Sequence, residues 1–139
     1  MAFSLTASTT TAPGPNGGTT SAIDTTGASL LLIHIAEYEP GTHGVPTDSN
    51  SNTWLELTTQ SVAGQIQDTW FYAENPTVGA GHTFTYFNGG SGIFPVIDVY
   101  AFSGADTSSP FDQENGATGS AVTSQQPGSV TPSENDELI

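Results

Sequence analysis

The side chains best placed to do chemistry by spacing alone are three carboxylates in the stretch AFSGADTSSPFDQENGATG, residues 101–119. Asp106, Asp112 and Glu114 share one loop, and Gly104, Gly116 and Gly119 allow sharp backbone reversals around them. Hard cations require oxygen ligands, so a calcium ion is the metal such a loop would take. Water alone can also neutralise three exposed acids. The loop DSNSNT raises the same question with Asp48, Asn50 and Asn52 at the first, third and fifth places of an EF-hand pattern. Thr53 and Thr59 stand where that pattern needs Gly and Glu, which excludes an EF-hand. An Asx-turn, in which Asp and Asn side chains bond their own backbone, explains this composition, and a looser calcium loop is the alternative.

Catalytic groups are sparse. His34 falls inside the apolar run LLLIHIA and reads as a core histidine, while His43 and His82 stand in turn-rich flanks. No cysteine nucleophile exists, and a paired-carboxylate glycosidase has no support beyond the number of acids. The chain is therefore expected not to be an enzyme. Aromatic rings offer binding instead. Trp54, Trp70 and Tyr72 are candidates for a glycan platform or a subunit interface, because Trp70-Phe71-Tyr72 must alternate faces in a strand and so turns at least one ring outward.

Charge removes several classes of partner. Fourteen acidic residues stand against no Lys or Arg, a formal charge of -14. Nucleic acid binding depends on basic side chains that displace phosphate counterions, and attraction to an anionic membrane depends on the same groups. Neither partner is expected. No apolar run approaches the length needed to insert in a bilayer. The opening residues, MAFSLTASTTTAPGPNGG, show no charged or apolar leader region, so no signal peptide is expected.

Positioning these residues falls to strands. The 139 residues suffice for one domain. Short β-branched or aromatic runs bounded by Gly, Pro and Asn predict strands near 3–10, 20–24, 29–38, 53–59, 68–73, 82–88, 94–102 and 121–123, with another beginning at Glu137. Alternation puts Ile97, Val99 and Ala101 on one face, with Asp98, Tyr100 and Phe102 on the other. In HTFTYFN it sets Phe84 and Tyr86 against Thr83, Thr85 and Phe87. LLLIHIA is apolar on both faces, the pattern of a central strand covered on both sides. The fold class is all-β, an antiparallel two-sheet β-sandwich of jelly-roll or immunoglobulin-like type. Residues 1–19 are expected to form an N-terminal strand and Gly/Pro hinge, and 20–139 the sandwich. Phe3, Leu5 and Ala7 alternate onto one face of that first strand, which could serve as an assembly arm.

Three segments in order, DSNSNTW (48–54), VYAFSGADTSSPFDQ (99–113) and GSVTPSENDELI (128–139), carry a resemblance. The chain resembles a β-sandwich surface module found in bacteriophage structural proteins and in bacterial extracellular and adhesion proteins. Its members typically show an Asp-Ser-x-x-Asn-Thr-aromatic turn, a Tyr-x-Gly-x-Asp-x-Ser-Pro-x-Asp stretch and a Thr-Pro-x-x-Asp-Leu segment. The resemblance implies a non-catalytic building block of an extracellular assembly, such as a capsid decoration or appendage protein of a virion. It implies a virion or extracellular surface location, with partners that are further copies of the chain or other structural proteins. A carbohydrate-binding or adhesion module, with or without calcium, is the alternative.

Overall fold

The structure, a computed structural model, describes residues 3–38, 42–89 and 92–133. The strand expected to begin at Glu137 lies outside the described residues. Within them the chain is all-β, with nine strands in two antiparallel sheets and no helix. The strands are β1 (Ser4–Thr11), β2 (Gly17–Thr19), β3 (Leu30–Tyr38), β4 (Thr47–Asp48), β5 (Leu55–Glu56), β6 (Gln60–Val62), β7 (Ile66–Glu74), β8 (Phe84–Phe87) and β9 (Val96–Ser103). The main sheet has the order β1-β9-β3-β7-β5, with β6 also paired to β7, and the small sheet has the order β2-β8-β4.

The core lies between the two sheets, giving a β-sandwich-like body. Alternation along each strand decides which side chains enter it. Leu31, Ile33 and Ile35 of β3, Phe71 and Ala73 of β7, and Ile97, Val99 and Ala101 of β9 meet Phe84 and Tyr86 of β8. Each large apolar side chain removed from water in this way is worth roughly 1.5–3 kcal/mol. The outward set of β9 is the one its sequence alternation requires. Phe87 likewise points away from the core and is largely exposed.

The N-terminal stretch belongs to both sheets: β1 pairs with β9 and β2 with β8. Gly17 begins β2 at φ 113°, and a Cβ there would stand 2.1 Å from the Tyr86 carbonyl oxygen. Only glycine fits that approach.

Three expectations need correction. The register of β1 shifts between Leu5 and Ala7, so Leu5 lies opposite Phe102 and Ala7 opposite Ala101. Thr6 is the extra residue, and its hydroxyl donates to the Ala101 carbonyl at 2.9 Å. A bulge of this kind reverses the faces of the residues beyond it. Phe3 and Leu5 therefore go to the outer side with Phe102, and Ala7 goes to the core. Second, β3 is central in its sheet but covered by the second sheet on one face only; its other face carries Leu32, His34 and Ala36, all half-buried. Third, residues 121–123 form no strand, and 20–24 contribute only a single bridge, from Ile23 to His82. The segment after β9 instead lies along the β5–β7 side of the main sheet, through Phe111 on Tyr72, Glu114 on Thr58 and Ser120 on Gln65.

Candidate functional site

The outer face of the main sheet gathers the side chains with the most chemistry. In register, Asp98 of β9 and Trp70 of β7 lie opposite His34 of β3, on its two sides. Asp68 lies one pleat further along β7. His34 Nδ1 stands 3.1 Å from Asp98 Oδ2, and its Nε2 stands 3.1 Å from Asp68 Oδ1. A neutral imidazole owns one N–H and can satisfy only one of these carboxylates; the imidazolium satisfies both. Trp70 stacks on the His34 ring at 4.7 Å between centroids. Tyr100 continues the stack 6.2 Å from Trp70, and Phe102 lies 6.5 Å from Tyr100. Trp70 keeps 38% of its surface exposed. The result is a row of rings flanked by carboxylates.

Tyr72 lies on the same face but is half-buried, stacked 5.9 Å from Phe111. Burial, followed by the charges of Glu74 and Glu114, raises its phenol above the usual value. Trp54 does not join this face. It is a core residue, and its Nε1 donates to Asp48 Oδ2 at 2.9 Å. With only 8% of its surface exposed, it offers no platform for a sugar or a subunit, unlike what the sequence reading expected of that residue.

A second cluster is closed to solvent. His82 and Asp48 meet at 2.9 Å with side-chain exposures of 0% each. Thr25 Oγ1 lies 2.9 Å from His82 Nδ1 and accepts the Gly79 amide at 3.0 Å. Asp48 also accepts the amides of Asn50 and Asn52, so DSNSNT forms an Asx-turn. Burial pulls the Asp48 carboxyl up, but bonds from His82, Asn50 and Trp54 and the attraction of His82 outweigh it and hold the group below its usual value. Thr25, His82 and Asp48 stand in the order of a nucleophile, a base and an acid. Yet Thr25 and His82 have no exposed surface, so as the chain is folded no substrate reaches them. The cluster ties the β4 turn to the Ile23–His82 bridge that precedes β8.

A third cluster closes one end of the core. Tyr86 donates to buried Glu37 at 2.8 Å. Burial pushes the Glu37 carboxyl above its usual value, against bonds from Tyr86 and Asn88 and the charge of His43. His43 contacts Glu56 at 2.9 Å and Gln67 at 2.6 Å. Every close contact between a carboxylate and a basic side chain among the described residues thus runs through a histidine, the only basic side-chain type in a chain without Lys or Arg.

The acidic loop does not converge. Asp106 accepts the Ser108 amide at 3.0 Å, and that bond lowers its carboxyl. Asp112 accepts the Ser133 amide at 2.9 Å, and Glu114 accepts the Thr58 amide at 2.9 Å together with the Thr58 hydroxyl. Among the described residues, no group of three His, Asp or Glu side chains gathers as metal ligands would.

The His34 arrangement escaped the sequence reading, which made His34 a core residue. A signal did exist: His34, Asp68 and Asp98 are each an ionisable residue inside an apolar strand. Comparisons with protein-family models, with curated proteins and with solved structures gave no match.

Proposed function

We propose that the chain is a non-catalytic building block of an extracellular assembly, a virion surface or appendage protein, built as a jelly-roll or immunoglobulin-like sandwich and docked through the outer face of its main sheet. The observation that carries this reading is the stacked row His34, Trp70, Tyr100 and Phe102 on a face that the second sheet leaves uncovered. Aromatic rings are enriched at the centres of protein interfaces, where they bury much area at little entropic cost. The fully buried histidine of the Thr25 cluster supports the non-catalytic part, since this triad-like arrangement among the described residues is sealed.

A carbohydrate-binding module is the second reading, favoured by an exposed Trp70 beside the Asp68 carboxylate. Tryptophan emission separates the two. Trp54 is buried, so a ligand on the outer face perturbs Trp70. Titration with neutral oligosaccharides should leave the emission unchanged. A saturable shift that vanishes in Trp70→Ala would replace the assembly reading with the glycan one.

A further inference from the structure

We infer that the group received by this face is the guanidinium of an arginine-bearing segment on a different protein, an inference that rests on the docking role proposed above and names the partner's chemistry. Asp98 Oδ2 and Asp68 Oδ1 are occupied by His34. The second oxygen of each carboxylate receives no donor from the described residues. Asp68 is the more open of the two, its side chain 42% exposed against 19% for Asp98. Lone pairs thus remain on both sides of the imidazole, beside the exposed indole of Trp70.

Ring faces carry negative electrostatic potential and attract cations, and the attraction strengthens where water is excluded. A guanidinium is planar, weakly hydrated and forked, so it stacks on an indole while it donates to a carboxylate. The face therefore offers both halves of what an arginine uses. A neutral sugar would use the ring but bring no charge to a site where two carboxylates share one imidazole. The net charge of -14 adds long-range attraction for a basic partner, and it opposes close approach of a second copy. A second copy of these 139 residues also brings no Lys or Arg to the site. The partner is a different chain.

The test uses an oligo-arginine peptide, titrated by calorimetry into the wild-type chain and into charge-matched variants. Asp68→Asn with Asp98→Asn removes two charges at the face; Asp24→Asn with Asp106→Asn removes two charges elsewhere. The first pair should weaken binding by about tenfold, the scale of a lost charge-assisted bond. The second should change it by less than about twofold, the effect of net charge under screening. Circular dichroism checks that each variant folds. Trp70→Ala, at an exposed position, gives an independent arm, expected to weaken binding by about threefold and to abolish the emission change on binding. Equal losses from the two charge pairs, or no loss in Trp70→Ala, would overturn the inference and reduce the attraction to net charge. The docking role itself would survive that result, because separate measurements test it: the oligosaccharide response and footprinting of the face within the assembly.

Discussion

Asp48 and His82 meet at 2.9 Å although 34 residues separate them in sequence and neither side chain touches water. Asp48 also receives Trp54 Nε1 and the amides of Asn50 and Asn52, so one carboxylate holds a turn, a core indole and a buried imidazole. Removing this carboxylate leaves the His82 ring, the Trp54 N–H and two amides without their acceptor, and each buried polar group left unsatisfied costs about 1–3 kcal/mol. Asp48→Ala should lose stability on that scale in urea unfolding, and Asp48→Asn should lose less because it keeps an acceptor. A loss below about 1 kcal/mol in Asp48→Ala, the scale of a surface pair, would remove the cluster from the account of the fold.

Acid should act on two buried carboxyls with opposite signs. Burial raises Glu37 above the usual 4.5, so its contribution to stability is fully present below 4.5 and is lost as pH rises through its folded value. Asp48 is lowered from 3.8, so its contribution is present above 3.8 and is lost as pH falls through its folded value. Glu37→Gln keeps an acceptor for Tyr86 without the buried charge. It should gain stability relative to wild type at neutral pH, and the gap should close as pH falls toward 4.5. A gap that stays constant across that range would mean that Glu37 is not titrating in the fold.

Salt should raise the melting temperature by screening repulsion among the fourteen acids. Asp106, Asp112 and Glu114 hold separate backbone donors, so calcium and magnesium at matched ionic strength should act equally. A calcium-specific rise that disappears in Asp112→Asn would favour calcium over water as the neutraliser of this loop.

Phe94 lies 63% exposed at φ 45°, a left-handed conformation that costs a residue with a Cβ about 1–2 kcal/mol. Phe94→Gly relieves the strain but loosens the unfolded chain, for a net gain of up to about 1 kcal/mol. Phe94→Ala keeps the strain and should show no gain in thermal or urea unfolding. Equal stability of the two variants would count against strain at this position.

The sequence carried the alternation of β9 and β8 because a two-residue period is local. It also carried the Asx-turn at Asp48, where the bonding groups are two and four residues apart. The long-range pairings lay beyond it. His34 meets Asp68 across 34 residues and Asp98 across 64, and only strand order and register bring them together. The bulge at Thr6 was hidden for the same reason. A run of Thr and Ser gives no sign of where a register shifts, yet that shift parts Leu5 from Ala7. The bonding of the acids in the last loop was hidden in a different way. Their closeness in sequence suggested one site, while the folded segment spends them separately on the backbones of Ser108, Ser133 and Thr58.

The central claim is that the Trp70 face docks against another molecule in the assembly, and hydroxyl-radical footprinting tests it most directly. Trp70 and Tyr100 should be oxidised in the isolated chain and protected when the chain is probed within its native assembly, while Phe87 on the small sheet reacts in both states. Equal oxidation of Trp70 in the two states would contradict the claim.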